Sequence, residues 1–141
     1  MIIFDLDGTL SIVGDRLKYL RCEPKDWDSF YEACGEDAVN EPVAKLYRQL
    51  WQHNHLKIVT GRRESTRGET IDWLRRHFMG IGDNDLHMRA DGDYRHDLSV
   101  KPELVADFVG EIEMIFEDRD SMVTKWRGMG ITCLQVANGN F

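Results

Sequence analysis

Short apolar runs alternate along this chain with segments in which apolar residues recur every three or four positions. The runs predict buried strands at residues 2–5, 56–60, 86–89, 113–116 and 131–136. The segments between them predict helices of about ten residues. Strands that alternate with helices favour a parallel sheet covered on both faces. We therefore expect an α/β fold, a Rossmann-like three-layer arrangement around a parallel sheet.

The predicted alternation is interrupted only once, by an acidic segment at about residues 22–41. The segment carries seven acidic side chains and one basic side chain. We interpret it as a short, partly helical insertion, and we expect its negative charge to keep most of it away from a polyanion. The 141 residues contain no internal repeat and no Gly/Ser-rich linker. Because one domain usually takes ~100–200 residues, we expect a single domain over residues 1–141.

Charge and cysteine content exclude several classes of function. With 25 acidic and 18 basic side chains, the net charge is −7, which argues against coating duplex DNA but not against handling a single nucleic-acid end. No apolar run approaches the ~18 residues that a membrane span needs, so we expect no membrane association. The three cysteines form no CxxC pair. We therefore expect free thiols in a cytoplasmic protein, without a zinc site.

Three predicted strands end in side chains that suit phosphate chemistry. These ends are Asp5-Leu6-Asp7, Thr60-Gly61-Arg62 and Glu117-Asp118. Because a ligand binds beyond the carboxyl ends of parallel strands, we expect the three ends to converge on one site. Gly8 permits a turn directly after Asp7. One of the two carboxylates, Asp5 or Asp7, could attack phosphorus while the other handles the proton of the leaving group, provided that a cation offsets the charge.

Several stretches of the chain match a known enzyme family. Residues 4–10, Val59-Thr60-Gly61-Arg62, Lys101 and Phe116-Glu117-Asp118-Arg119 occur in this order. They resemble the four motifs of the haloacid dehalogenase (HAD) superfamily of phosphohydrolases. A further set of stretches, at residues 5–16, 40–42, 60–65, 97–101, 125–127 and 134–141, resembles 3′-phosphatase domains of the T-even phage polynucleotide kinase-phosphatase type. The chain has no GxxxxGK[ST] loop, so we expect it to remove phosphate without kinase activity.

The resemblance implies a HAD-like fold with a minimal cap insertion and a role for each matching residue. Asp5 would be the nucleophile that forms an aspartyl-phosphate, and Asp7 would be the general acid and then the base that activates water. Thr60 would donate a hydrogen bond to the phosphate, and Lys101 would offset its charge. Asp5, the backbone carbonyl of Asp7 and Asp118 would hold Mg²⁺, an ion that prefers oxygen ligands. The implied substrate-binding residues are Arg16, Gly61, Arg62 and Asp97.

The chain departs from the family pattern at two positions. Thr60 replaces a serine and keeps the hydroxyl donor, whereas Glu117 replaces an aspartate, which leaves its part in metal binding open. Lys101 precedes Pro102 at a predicted helix start, where a cation opposes the helix dipole. This unfavourable placement indicates that a ligand needs the charge, although a surface lysine is the alternative. Asp97 is either a site residue or an acid in a turn.

Structural alternatives also exist for the arginines and for the aromatic residues of the insertion. Arg16 and Arg62 suit bidentate capture of phosphate oxygens, but each could be a solvated charge. Trp27, Phe30 and Tyr31 could stack on a terminal base. Packing of a small insertion is the alternative for these three rings.

Residues and resemblance together predict a magnesium-dependent phosphomonoesterase that removes 3′-phosphate from DNA or RNA ends. A nucleotide or general small-molecule phosphomonoesterase is the first alternative, because a minimal cap leaves an open site. The second is a non-catalytic module that binds phosphate ends beside a separate kinase or ligase. The pair of Asp5 and Asp7 argues against such a module, because binding an anion does not need two acids. A chain of this type fits a phage or bacterial end-healing pathway.

Overall fold

The fold is built on a five-stranded parallel sheet. The computed structural model describes residues 1–139; Asn140 and Phe141, which close the C-terminal stretch of the resemblance, lie outside the described residues. In chain order the strands of this sheet are β1 (Ile2–Phe4), β4 (Leu56–Arg63), β5 (Leu86–Arg89), β6 (Met114–Arg119) and β7 (Thr132–Gly139), and two short strands, β2 (Ser11–Ile12) and β3 (Ala38–Val39), pair outside it. The order across the sheet is β5-β4-β1-β6-β7, with every pair parallel.

Helices cover both faces of the sheet. They are α1 (Trp27–Glu32), α2 (Glu41–Trp51), α3 (Arg67–His77), α4 (Asp97–Leu104) and α5 (Asp120–Gly128). Because side chains alternate along a strand, β1 serves both layers. Phe4 packs in one apolar cluster with Tyr47 of α2 and Trp73 of α3, and Ile3 packs in a second cluster with Val123 of α5. The predicted Rossmann-like three-layer α/β fold is thus confirmed.

A cap segment, which we define as residues 11–39, lies between β1 and α2 in the chain. Its ends, β2 and β3, pair antiparallel, and between them the chain forms α1 and two 3₁₀ helices at Gly14–Leu20 and Ala33–Glu36. The acidic stretch predicted as an insertion is therefore the second half of a longer excursion. Its start was not recognised because β2 is only two residues long and leaves no periodic signal.

One helix boundary differs from the prediction. The prediction began a helix at Pro102, whereas α4 begins at Asp97, with the His96 ring accepting a hydrogen bond from the Leu98 amide (3.2 Å). Lys101 consequently lies in the last turn of α4, where the helix dipole favours a cation. The dipole argument for Lys101 was therefore wrong. The ion pairs of its ammonium group, described below, place it at the site instead.

The three cysteines are free thiols, as predicted. Cys34 and Cys133 are buried and Cys22 is exposed, and burial raises the pKa of the Cys133 thiol to about 11. Among residues 1–139, none of the helices combines the length and apolar composition that crossing a bilayer requires.

Candidate active site

The carboxyl ends of the three central strands meet at one cleft, as the sequence predicts. Asp5 follows β1 directly, and its amide donates to the Phe116 carbonyl of β6 (2.9 Å). Thr60 lies in β4 and Asp118 in β6. The lining of the cleft includes Asp5, Asp7, Thr60, Gly61, Asp97, Lys101, Glu117, Asp118, Arg119, and Leu20, Trp27, Phe30 and Tyr31 of the cap segment.

Both strands that flank β1 become irregular at the level of the cleft. The register between β4 and β5 shifts between Thr60 and Arg63, and the register between β6 and β7 shifts between Glu117 and Arg119. Such irregularities redirect side chains that regular pleating would send to alternate faces. They allow neighbouring residues of these strands to contribute to the same site.

An acidic cluster forms the floor of the cleft. Oxygen atoms of Asp5, Glu117 and Asp118 all lie within 4.8 Å of one another, and the three side chains are buried. The Lys101 ammonium donates to Asp5 Oδ1 (2.6 Å) and to Glu117 Oε2 (2.8 Å). Three carboxylates therefore share one ammonium, and the Arg119 guanidinium, which is ion-paired to Asp97, adds a weaker electrostatic interaction with them. Burial and the charge of Glu117 raise the pKa of Asp118 to about 6 and raise that of Asp5 well above its usual value.

The donor set of this cluster fits a divalent cation. It offers only carboxylate oxygens, which Mg²⁺ prefers, and its excess negative charge matches that of such an ion. Gly8, in the turn after β1, permits the close approach of Asp118, because it adopts a φ of 94° and a Cβ there would collide with the Asp118 carboxylate. Thr9 also donates to Asp118 Oδ1 (3.3 Å). Glu117, whose part the sequence left open, belongs to the cluster.

Asp7 lies in the opposite electrostatic environment from Asp5. Its Oδ1 accepts from Arg62 Nη2 (2.6 Å), from Arg16 Nη2 (2.7 Å) and from Ser11 Oγ (3.2 Å). Burial alone would raise the pKa of Asp7, but the two guanidinium groups outweigh it and hold that pKa well below its usual range. The Asp7 carboxylate therefore faces the arginines and not the acidic cluster. Its backbone carbonyl as a metal ligand stays a prediction.

Arg16 and Arg62 are buried and paired, so neither is a solvated charge. Arg62 is 0% exposed and Arg16 is 4% exposed. Besides Asp7, both bind Asp37 of the cap segment, with Arg16 Nε 2.7 Å from Asp37 Oδ1 and Arg62 Nη2 3.0 Å from Asp37 Oδ2. In the structure these arginines thus hold carboxylates. Their direct contact with a phosphate stays a prediction.

Asp37 was not predicted as a site residue, although it lies in the predicted acidic insertion. Its carboxylate is buried by Arg16 and Arg62, and its carbonyl accepts from Trp73 Nε1 (2.8 Å). Nothing in the local sequence separates Asp37 from the other acids of the insertion. Two buried arginines need more than one carboxylate as a counter-ion, and only this requirement could have indicated a second acid besides Asp7.

The acidic insertion contributes aromatic side chains to the cleft. Trp27, Phe30 and Tyr31 line it, and the expectation that most of the insertion faces away from a nucleic-acid path stays a prediction. Its acidic side chains are mostly exposed, apart from Asp37. The segment turns its aromatic residues towards the site and most of its charge towards solvent.

Thr60, Gly61 and Asp97 form the side of the cleft between β4 and α4. Thr60 is buried, and its Oγ1 accepts from the Arg62 amide (3.2 Å), which leaves the hydroxyl proton for another acceptor. A Cβ on Gly61 would lie 2.7 Å from Asp97 Oδ1, so glycine permits that close approach. Asp97 binds Arg89 and also Arg119, whose Nη1 lies 2.7 Å from Oδ2. Asp97 is therefore an ion-paired residue of the site, and its contact with substrate stays a prediction.

Comparisons with known proteins agree with this geometry. Residues 1–141 match the family described as the polynucleotide kinase PNKP phosphatase domain. A solved structure of a Pnkp1/Rnl/Hen1 complex is 30% identical over 99% of this chain and 46% of that chain, with a TM-score of 0.83. A second, of the Pnkp1/Rnl/Hen1 RNA repair complex, is 30% identical over 99% of this chain and 43% of that chain, with a TM-score of 0.81.

This chain spans less than half the length of either matched chain. The family match nevertheless covers the whole length of this chain. Three strand ends and helix α4 bring together residues of all four motifs. The chain therefore belongs to the PNKP phosphatase-domain family of the HAD superfamily.

Proposed function

We propose that this chain is a magnesium-dependent phosphatase that removes 3′-phosphate from polynucleotide ends. The observation that carries the proposal is the contrast between two carboxylates at one cleft. Asp5 contacts Lys101 and the acidic cluster, whereas Asp7 contacts Arg62 and Arg16. Opposite environments of this kind assign different tasks to otherwise identical groups.

In the first step, a carboxylate oxygen of Asp5 attacks the phosphorus and the bond from phosphorus to the 3′-oxygen breaks. Asp7 donates a proton to that leaving oxygen. In the second step, water attacks the phosphorus of the aspartyl-phosphate, Asp7 accepts a proton from the water, and the Asp5 carboxylate is released with inorganic phosphate. Thr60 donates a hydrogen bond to the phosphate, and the Lys101 ammonium offsets charge on Asp5 and the phosphoryl oxygens.

Asp7 needs a proton before the first step, although the arginines lower its pKa. An incoming phosphate brings negative charge close to Asp7, and a nearby like charge raises the pKa of a carboxylate. A phosphate that attracts Arg16 or Arg62 would also weaken their hold on Asp7. We infer that Asp7 is protonated as the substrate enters the cleft.

Asp5, Glu117, Asp118 and the Asp7 carbonyl would hold Mg²⁺. When bound, the ion offsets charge on the phosphoryl oxygens. Without a cation, the acidic cluster would repel an anionic substrate, and Lys101 alone cannot balance three carboxylates.

Family membership and the RNA repair complex among the matched structures support nucleic-acid ends as the substrate. They also support the proposal that this chain acts together with separate partner proteins, such as a kinase or a ligase. The free thiols suit a reducing, cytoplasmic compartment.

A panel of substrates tests the proposal. Phosphate release would be measured from a 3′-phosphorylated oligonucleotide, a 5′-phosphorylated oligonucleotide and free mononucleotides, each with Mg²⁺ and with chelator. We expect release from the 3′-phosphorylated oligonucleotide only when Mg²⁺ is present, and slower release from the other two. Equal rates on all three substrates would support a general phosphomonoesterase instead. Binding of the 3′-phosphorylated end without any release would support a non-catalytic module.

A further inference from the structure

We propose that the exposed ring of Trp27, with Tyr31 behind it, is the platform on which the 3′-terminal base of the substrate stacks. The inference rests on the proposed function and adds to it a subsite for the nucleoside that carries the phosphate. It assigns a binding role to the wall that the cap segment contributes to the cleft.

The aromatic residues of α1 differ in exposure: Phe30 is buried, and Trp27 is partly exposed at the cleft. Trp27, Phe30 and Tyr31 share one helical face, because they are three and four positions apart. Phe30 is 4% exposed, and the Arg16 guanidinium lies 4.5 Å from its ring centroid, so it fixes the helix to the site. Trp27 is 40% exposed and yet lines the same cleft as Asp5. Packing of α1 therefore accounts for Phe30 but leaves a large part of Trp27 uncovered.

The Trp27 ring is supported from behind. The ring centroids of Trp27 and Tyr31 are 6.0 Å apart with an interplanar angle of 26°. The Arg63 guanidinium lies 5.0 Å from the Tyr31 centroid and pairs with Asp28 of the same helix. A ring held in this way loses little freedom when a ligand stacks on it, which makes the contact more favourable.

The charges around Trp27 select a base over a phosphodiester as its partner. Residues 22–41 carry seven acidic side chains and one basic side chain, Lys25. Most of these acids face solvent, where they repel the backbone of a polyanion, whereas the side of the segment that lines the cleft presents aromatic rings. A nucleobase is uncharged and presents a flat face to the ring. The Lys25 ammonium lies 5.9 Å from the Trp27 centroid, so a cation is available beside this ring for the phosphodiester of a stacked nucleotide. Stacking tolerates any base, as the repair of ends of arbitrary sequence requires.

Removing the base from the substrate tests the platform without altering the protein. The wild-type protein with Mg²⁺ would be given two 3′-phosphorylated oligonucleotides that differ only in whether the terminal sugar is abasic. We expect kcat/KM to fall by about 5- to 100-fold on the abasic end, mainly through KM. Equal kcat/KM on the two would overturn the platform and leave the proposed function intact. Release from neither would instead reject the proposed function.

A variant links the effect to one ring. In Trp27→Ala, kcat/KM on the base-containing end should fall by the factor that removing the base costs the wild type, and kcat/KM on the abasic end should not change. Trp27→Phe should retain most of the activity. The control is Met129→Ala, which truncates an apolar side chain that is 40% exposed, as Trp27 is, and does not line the cleft, and it should behave as wild type. An equal loss by Trp27→Ala on both ends would overturn the proposal.

A readout independent of turnover uses the Asp5→Asn background and an end that carries 2-aminopurine. Binding should quench the fluorescence of this base, and the added Trp27→Ala substitution should abolish the quenching. Unchanged quenching in the double variant would contradict the platform.

Discussion

Two aspartates only two positions apart have opposite surroundings in this site. Asp5 is next to two other carboxylates and one ammonium, and Asp7 is next to two guanidinium groups. The pKa of Asp5 is raised by burial and by Glu117, whereas that of Asp7 is lowered. The difference arises because the chain leaves β1 and begins to turn at Leu6, between the two aspartates. Single side-chain changes should therefore affect the two carboxylates separately.

The position of Arg62 predicts that it acts through Asp7. Arg62→Lys keeps the charge but removes the forked geometry, and we expect a fall in kcat of about 100-fold, in the range of general acid–base catalysis. In an Asp7→Asn background the same substitution should cost little, because the two residues work as a unit. Multiplicative losses in the double variant, measured as kcat, would show instead that Arg62 binds the phosphate itself.

Removal of the Lys101 ammonium should destabilise the metal-free protein. Lys101→Met leaves three buried carboxylates without the ammonium that hydrogen-bonds two of them, and only the Arg119 guanidinium remains nearby; breaking a buried ion pair costs about 3–5 kcal/mol. Denaturant unfolding should show this loss with chelator and a smaller loss with Mg²⁺, since the cation restores positive charge. Equal losses under the two conditions would contradict a cation site beside Lys101.

The motif residues Asp5, Asp7, Thr60 and Lys101 could be predicted because each lies in a short, distinctive stretch. Asp37 could not, because its role depends on arginines that are distant in sequence and on a fold of the cap segment that leaves no periodic signal.

The turn that follows β1 is the structural element on which the site depends most directly. The glycine at position 8 adopts a φ that other residues rarely adopt, and it lies against the Asp118 carboxylate. The hydrophobic run of β1 and the acids after it made this strand and turn predictable. The start of α4 was misplaced, because proline is favoured at helix starts and Pro102 is instead internal to the helix.

Substitution of this glycine should disrupt the site. In Gly8→Ala, the left-handed backbone costs about 1–2 kcal/mol, and the new Cβ must displace Asp118. We expect lower stability in thermal unfolding and a higher Mg²⁺ concentration for half-maximal activity. Gly130→Ala is the matched control, since Gly130 also has a positive φ, 81°, but a Cβ there meets no atom within 4 Å. Wild-type magnesium dependence in Gly8→Ala would show that the turn does not position Asp118.

On the scale of the whole molecule, the parallel sheet concentrates uncompensated negative charge at one edge. The carboxyl ends of β1 and β6 bring Asp5, Glu117 and Asp118 together from distant parts of the chain. Repulsion among these carboxylates destabilises the metal-free fold, and a bound cation relieves it. Binding of the cation should therefore raise the free energy of unfolding of the whole protein.

Stabilisation by Mg²⁺ should depend on pH. The pKa of Asp118 is about 6 in the folded metal-free protein against 3.8 as its ordinary value. Its bound proton thus stabilises the metal-free fold at low pH, and this contribution is lost as the pH rises through about 6. Because Mg²⁺ needs the ionised carboxylates, the rise in Tm on adding Mg²⁺ should be small at pH 5 and larger at pH 8. An equal rise at both pH values would contradict the assignment.

The central claim is that Asp5 attacks the phosphorus of a 3′-phosphate end. The most direct measurement is to quench the wild-type protein with acid during turnover of an oligonucleotide that carries a labelled 3′-phosphate, and to map the labelled peptide. The account predicts an acid-stable label on the peptide that contains Asp5, confined to that residue and absent from Asp5→Asn. Label on Asp7 or Asp118, or phosphate release with no labelled protein at any quench time, would contradict it.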